Sequence, residues 1–279
     1  MQKTKKKKKI NKYSVVIIIL VIALFSVSTS YFLHIKDDER KALEETPVES
    51  VLVDNDYDWT KLKSDGSFMS YEDDNYTSLQ GVDVSSHDGY IDWSKAKKAG
   101  IDFAYIRVGY TGWETGDIHK DQYFDYNIKS AKENGIQVGV YYFSQATSIE
   151  EVREEANFVL ENIKDHEIDL DVCYDIEKAG EGLGRVDDLS KETWTQNAVT
   201  FLHMIENHGY KGMNYNSTYN FPKYFLLQYT QEFETWVAHY GVDYPTYQYE
   251  FTIWQYTDSG TVDGIGEKSV DMDIMFVKK

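Results

Sequence analysis

From Leu79 onward, short apolar runs alternate with amphipathic stretches, and this pattern limits the possible folds more than any other feature of the chain. The eight runs occupy residues 81–85, 103–108, 138–143, 170–177, 213–215, 235–240, 252–256 and 270–274. Four helical stretches lie between the first five runs, at 93–99, 122–134, 149–163 and 191–208. Strand and helix in alternation predict a parallel sheet, and eight strands favour a closed barrel with reactive residues at the strands' C-terminal rim.

The end of the chain departs from this alternation. Only residues 258–269 separate the seventh run from the eighth, and they contain three glycines and no helical period. Parallel neighbours need a long crossover, so a short Gly-rich connection predicts a hairpin and an antiparallel final strand. This reversal places Asp271, at the start of the final strand, on the rim where the other strands end.

The fourth run ends in Asp175-Ile-Glu177, two carboxylates that share one face of a strand at a rise of roughly 6.6 Å. In a closed barrel, Asp83 of the first run neighbours Asp271 of the last. Four acids are therefore predicted to converge on one rim, where like charges raise the proton affinity of at least one, as a general acid requires. Glycoside hydrolysis is the reaction that most often uses two carboxylates around one bond.

Aromatic side chains near the ends of the same runs are candidates for stacking on sugar rings. They are Tyr110, Tyr141, Phe143, Tyr215, Trp236, Tyr240, Trp254 and Tyr256, and strand alternation assigns about half of them to the core. No His-Glu-x-x-His spacing or Gly-x-Ser-x-Gly motif is present, so neither a metal nor another cofactor is expected. The single cysteine, Cys173, is expected to be a small buried apolar side chain.

The N-terminal part of the chain predicts export. Residues 1–12 are basic, and residues 13–33 carry no charge over a length that can cross a bilayer as a single-pass signal anchor, with the domain outside a bacterial cell. A cleaved signal peptide is the alternative, because the strongly apolar part is only residues 15–25 and small residues follow it; the domain would then be secreted.

Residues 34–78 are acidic and polar without a sustained apolar period, and predict a flexible tether ahead of a catalytic domain at 79–279.

The charge balance of the chain is acidic. Seven of the 29 basic side chains lie within the first twelve residues, so residues 13–279 carry 22 basic and 47 acidic side chains. Nucleic acid is excluded as a partner, because phosphate binding needs a basic surface.

Five motifs in this order resemble glycoside hydrolase family 25, the Chalaropsis-type lysozymes. They are Gly81-Val-Asp-Val-Ser-Ser-His-Asp-Gly89, Ile91-Asp-Trp93, Tyr174-Asp-Ile-Glu177, Trp254-Gln-Tyr256 and Val270-Asp-Met-Asp273. The resemblance implies an α/β fold, a modified TIM-like β/α barrel of about five β/α units and three further strands, the last antiparallel. It also implies β-1,4-N-acetylmuramidase activity on the glycan strands of peptidoglycan, by a catalytic domain expected to be monomeric.

By position, Glu177 resembles the family's general acid/base and Asp175 the carboxylate beside it, while Asp83 and Asp271 match accessory acids. Asp175 would either orient the substrate's own acetamido group, giving retention, or activate water, giving inversion. The resemblance favours the acetamido route. Asp273 stands where many members carry Asn, which leaves the charge at that position open.

The predicted substrate-binding set is Tyr141, Tyr215, Trp236, Tyr240 and Trp254, of which the first three match glycan-binding aromatic positions of the family. Two other functions use the same cleft. One is a catalytically silent module that binds wall glycan, and the other is a hydrolase of a different N-acetylated polysaccharide.

Overall fold

The computed structural model describes residues 51–180 and 182–279. In this part of the chain the strands are β1 (Leu62–Ser64), β2 (Met69–Tyr71), β3 (Tyr76–Val84), β4 (Phe103–Thr111), β5 (Ile118–Lys120), β6 (Gln137–Ser144), β7 (Val172–Ile176), β8 (Gly212–Ser217), β9 (Glu234–Ala238), β10 (Ile253–Val262) and β11 (Ile265–Lys278). The α-helices are α1 (Trp93–Ala99), α2 (Phe124–Glu133), α3 (Ile149–Ile163), α4 (Lys191–Asn207) and α5 (Asn220–Tyr224). Short 3-10 turns occupy Trp59–Lys61, Ser86–Asp88 and Leu227–Tyr229.

Eight of these strands close into a barrel in the order β3-β11-β10-β9-β8-β7-β6-β4, with β4 pairing back to β3. Neighbouring strands are parallel except at β11, which is antiparallel to both β10 and β3. The connection from β10 to β11 is a tight turn at Asp263-Gly264, and Gly264 takes the positive φ of 96° that such a turn favours. The predicted barrel and its reversed last strand are both confirmed.

Helices α1 to α4 form where the apolar period predicts them, with ends that differ by at most two residues from the prediction, and α5 is a short helix that was not predicted. Side-chain oxygens cap three of their N-termini by accepting from backbone N–H groups, at Asp92, Ser148 and Ser190. Left-handed glycines follow three of their C-termini, at Gly100, Gly135 and Gly209. Each helix packs its apolar face on the barrel wall, which leaves the carboxyl ends of the strands open at one pole.

Two apolar clusters follow from strand alternation. One lies between the barrel wall and the helices, and the other fills the barrel with side chains that include Phe103, Tyr105 and Cys173. Cys173 is fully buried, as predicted for a small apolar side chain. Gly81 is required at its position, because a Cβ there would lie 2.1 Å from the Phe103 ring.

The predicted tether over residues 34–78 is wrong for residues 51–78, which pack against the barrel. Tyr57 lies 4.3 Å from Phe276 between ring centroids and donates its hydroxyl proton to the Phe251 carbonyl at 2.6 Å. The backbone of residues 53–55 pairs with residues 248–250. Aromatic side chains without a regular spacing supply this packing, so the sequence of this segment has no periodic pattern that predicts it. These residues cover the pole where β10 begins and β11 ends.

The predicted basic tail (1–12), signal anchor (13–33) and first part of the tether (34–50) lie outside the described residues. Within residues 51–180 and 182–279, no helix has the length and apolar character needed to span a membrane.

Replacing Tyr57 by alanine tests whether this N-terminal segment belongs to the folded domain. The substitution removes one hydrogen bond and a ring that packs against five other aromatic rings, so the free energy of unfolding should fall by roughly 2–4 kcal/mol. Urea unfolding followed by fluorescence measures the change. Tyr90→Ala is the matched control, because Tyr90 is 67% exposed and its loss should cost less than about 1 kcal/mol. Equal effects of the two substitutions would contradict a packed segment.

Candidate active site

A cavity of about 150 Å³ opens at the pole where the parallel strands end. Its lining combines four acids, one cation, one amide and four aromatic rings: Asp83, Asp175, Glu177, Asp271, Arg107, Gln255, Tyr141, Phe143, Tyr215 and Trp236. All four acids predicted from the sequence therefore lie around one cavity.

The reversed strand brings the acids of β11 to this cavity. In the β3–β11 ladder Asp271 is opposite Asp83, and Asp273 is opposite Gly81. In the β10–β11 ladder Asp273 is opposite Gln255. Directly opposed residues of neighbouring strands project to the same face, so these side chains all point into the barrel.

Asp175 and Glu177 form the pair predicted from their spacing. Their carboxyl groups lie close enough to share a proton, and Asp175 Oδ1 has no hydrogen-bond partner among the described residues. Burial, followed by the charge of Glu177, raises the pKa of Asp175, and burial raises the pKa of Glu177. The pair therefore retains a proton at a pH where exposed carboxyls are ionised.

Gln255 ties Asp83 to two tyrosines. Its Oε1 accepts the hydroxyl protons of Tyr215, at 2.7 Å, and of Tyr240, while its Nε2 donates to Asp83 Oδ2 at 2.6 Å. Because both phenols donate to Oε1, the amide is fixed with its N–H toward the acid. The sequence motif contained Gln255, but a single amide gives no signal of this role.

Asp273 is fully buried behind these groups. Trp236 Nε1 donates to its Oδ1 at 3.0 Å, while its Oδ2 has no hydrogen-bond partner among the described residues. The Asp83 carboxyl lies close enough to share a proton with Asp273. Burial and the charge of Asp271 raise the pKa of Asp273. A neutral Asp273 offers one acceptor and one donor, much as an asparagine does, which accounts for Asp at a position where the resemblance expects Asn.

Arg107 is the one cation that lines the cavity, and the sequence analysis missed it. Its Nε donates to Asp121 Oδ2 at 3.0 Å and one terminal nitrogen to Ser86 Oγ at 3.0 Å, which holds the guanidinium at the rim. Its positive charge opposes the rise in the pKa of Asp175. A lone arginine inside the apolar run 103–108 was the signal available, because an unpaired charge is seldom placed in a buried strand.

The predicted aromatic set divides into three groups. Tyr141, Tyr215 and Trp236 line the cavity, and Tyr240 lies at its edge, 41% exposed. The structure does not bring Trp254 to the cavity: it is fully buried on the opposite face of β10 from Gln255, and its Nε1 donates to the His239 carbonyl at 2.9 Å. Adjacent strand residues face opposite sides, so Trp254 and Gln255 cannot both point inward.

Outside the cavity, a buried carboxyl is hydrogen-bonded to the ends of two barrel strands, β4 and β6. Glu155 of α3 accepts hydrogen bonds from Thr111 Oγ1 at 2.5 Å and Ser144 Oγ at 2.7 Å, and burial raises its pKa to about 7. Gln145, which follows Ser144 in the chain, donates its side-chain amide N–H to the backbone carbonyl of Glu177 at 2.7 Å. These bonds connect the helix to the loop that holds Glu177.

Across the part of the chain that the structure describes, no three or more His, Cys, Asp or Glu side chains are arranged to hold a metal ion. Two acids at this end of the barrel have neutral hydrogen-bond donors instead: Gln255 donates to Asp83 and Trp236 donates to Asp273.

An acid-lined cavity at the carboxyl pole of a β/α barrel with a reversed last strand is the arrangement of a barrel glycosidase. Residues 82–265 match the family described as glycosyl hydrolases family 25, and the chain belongs to this family. The autolytic lysozyme of Clostridium acetobutylicum is 29% identical over 196 residues, which cover 70% of this chain and 55% of that protein. Lysozyme M1 of Streptomyces globisporus is 28% identical over 198 residues, 68% of this chain and 65% of that protein.

The chain thus spans less than two thirds of the length of these two curated relatives. Among solved structures, a family 25 glycosyl hydrolase from Bacillus anthracis superposes with a TM-score of 0.59 at 23% identity, covering 76% of this chain and 94% of that one. This likeness supports the fold.

Glu155 provides a pH test of the buried network. Its pKa rises from 4.5 in an exposed state to about 7 in the fold, so its stabilising contribution is full below about pH 4.5 and is lost as the pH rises through about 7. We expect the difference in unfolding free energy between the unmodified protein and Glu155→Gln to shrink by roughly 2–3 kcal/mol from pH 5 to pH 8. Urea titrations at each pH measure it. Glu154→Gln, an exposed change on the same helix, should leave the pH dependence unaltered.

Proposed function

We propose that this protein hydrolyses the β-1,4 bond between N-acetylmuramic acid and N-acetylglucosamine in peptidoglycan. The observation that carries the proposal is the contact between the Asp175 and Glu177 carboxyls, with Asp83 and Asp271 around the same cavity. Membership of family 25 and the two relatives named as lysozymes support the choice of substrate.

Glu177 acts as the general acid in this proposal. It needs a proton at the working pH, and burial raises its pKa despite the hydrogen bond with Asp175, which lowers it. Its backbone carbonyl is held by Gln145, so the carboxyl keeps its direction while the sugar binds. Glu177 protonates the glycosidic oxygen as the bond to the leaving sugar breaks, and it later removes a proton from the water that completes hydrolysis.

Asp175 assists the acetamido group of the substrate. An inverting enzyme keeps its two carboxyls roughly 6.5–9.5 Å apart so that a water fits between them. Here the two carboxyls lie close enough to share a proton, which is nearer than the separation of an inverting pair. The contact favours attack by the substrate's acetamido oxygen, with Asp175 accepting a hydrogen bond from the acetamido N–H, and this route retains the anomeric configuration.

The remaining side chains of the cavity position the sugar. Tyr141, Tyr215 and Trp236 offer apolar faces to the C–H groups of the ring, while Tyr240 borders the opening. Asp83 and Asp271 place carboxyl oxygens near the positive charge that develops on the sugar in the transition state. A silent binding module would use the same surfaces, but it would have no need for two acids in contact.

Glu177→Gln should lower lytic activity at least about 100-fold, because the amide cannot donate an acidic proton. The measurement is loss of turbidity of purified peptidoglycan with the full chain, and circular dichroism confirms that the fold is retained. Glu161→Gln, on the exposed face of α3, is the matched control and should keep full activity. Unchanged lysis by the Glu177 variant would require another acid, and no lysis by the unmodified protein would favour a binding module.

The location of the domain is also a proposal, because residues 1–50 lie outside the described part of the chain. The basic residues 1–12 and the uncharged residues 13–33 support a signal anchor that holds the domain outside the cell membrane. Cleavage after the apolar segment, followed by secretion, is the alternative.

Cell fractionation separates these two outcomes. An uncleaved anchor predicts that the full-length chain sediments with membranes and is released by detergent but not by high salt. Replacing Ile17, Ile18 and Ile19 by aspartate should then abolish membrane retention, because charges at the bilayer centre are costly. A shortened chain in the medium, with a new N-terminus after residue 25, would show the signal-peptide alternative instead.

A further inference from the structure

Three lysines from separate segments gather at the rim between β7 and β8. Lys178 directly follows Glu177, Lys191 begins α4, and Lys223 lies in α5, which follows β8. The Lys191 ammonium donates to the Pro222 carbonyl at 2.9 Å, next to Lys223. These positive charges stand beside an acidic cavity, in a chain of net charge −18.

Tyr224 holds two of these ammonium groups together. Its ring stacks on the buried Trp194, with centroids 5.0 Å apart at an angle of 26°, so its position is fixed. The Nζ atoms of Lys178 and Lys223 each lie 4.9 Å from the centroid of the Tyr224 ring. Two cations therefore converge on one rigid side chain.

These two cations have no acidic partner in the described structure. Among residues 51–180 and 182–279, no Asp or Glu forms a salt bridge with Lys178 or Lys223, whereas Lys120, Lys132 and Lys164 are paired in this way. Two like charges held together repel each other, and an anion placed between them would relieve the repulsion. The arrangement has the chemistry of an anion-binding site.

We propose that Lys178 and Lys223 bind a carboxylate on the peptide branch of peptidoglycan, which would make this rim a subsite for the peptide. This inference rests on the proposed muramidase function. Glu177 lines the cavity and Lys178 is the next residue, so their Cα atoms are about 3.8 Å apart. This adjacency puts the proposed subsite within reach of a peptide attached to a sugar bound in the cavity.

The neighbouring surface suits a peptide as well. Tyr219 is 71% exposed, and the Lys223 ammonium lies 5.2 Å from the centroid of its ring. This ring offers apolar area beside the two charges, which fits a short peptide with aliphatic and carboxylate groups. A phosphate-bearing wall polymer carries a comparable charge and is the competing anion that the binding experiment distinguishes.

Binding measurements in the Glu177→Gln full chain test the proposal, because the sugar chain then stays intact. The probes are soluble peptidoglycan fragments with free peptide carboxylates and the same fragments with those carboxylates converted to amides. We expect the free-carboxylate fragments to bind roughly five- to tenfold more tightly, as measured by calorimetry. Adding Lys178→Gln and Lys223→Gln should reduce this preference to less than about twofold.

A second double variant, Lys98→Gln with Lys129→Gln, changes the net charge equally on the outer helices α1 and α2 and should keep the preference. The proposal is overturned if the rim variant keeps the preference or if the control loses it equally. It is also overturned if only polyol-phosphate chains bind in a way that depends on the two lysines. Lysis by the unmodified chain is measured separately, so a carboxylate preference without lysis would contradict the muramidase function and leave the subsite standing.

Discussion

The antiparallel pairing of β11 with β3 is the contact on which the site depends. It closes the barrel and sets Asp271 opposite Asp83 and Asp273 opposite Gly81. A parallel last strand would carry Asp271 to the other pole, and a shift of one residue in register would turn both β11 acids outward. The turn at Asp263-Gly264 makes the reversal possible within two residues. The chemistry at one rim therefore depends on a hairpin that contains none of the reacting groups.

Closing the barrel in this way forces several carboxyls into a small volume, and the structure shows how the free-energy cost of burying them is reduced. A buried ionised carboxylate without partners would be very unfavourable, so such groups keep their protons or find donors. Asp83 receives an N–H from Gln255, Asp273 receives one from Trp236, and burial raises the pKa of each acid. The pKa of Asp271, at the more open edge, is raised to about 7. The acids are thus held partly protonated, the state that proton donation to a glycosidic oxygen requires.

Much of this site could be predicted from residue patterns, and the exceptions have physical reasons. Side chains alternate between the two faces of a strand, which predicts that Asp175 and Glu177 share one face. The short glycine-rich connection before the last strand predicts that this strand runs antiparallel and brings Asp271 to them. The same period cannot say which of two adjacent residues faces inward, so Trp254 was assigned to the cavity in place of Gln255. The N-terminal segment packs through irregularly spaced aromatics such as Tyr57, which carry no periodic signal. The partners of Arg107 come from two other segments, and only the fold shows that they meet.

The two poles of the barrel have different roles. Residues 51–78 cover the pole where β10 begins and β11 ends, so aromatic packing stabilises the domain there without obstructing the cavity. At the cavity, the acids suit a sugar that becomes positively charged during hydrolysis, but they would repel any carboxylate attached to that sugar. Cations at the rim remove this conflict. In the proposed subsite, Lys178 and Lys223 supply this positive charge, so the same substrate can present its sugar to the acids and its anionic branch to the lysines.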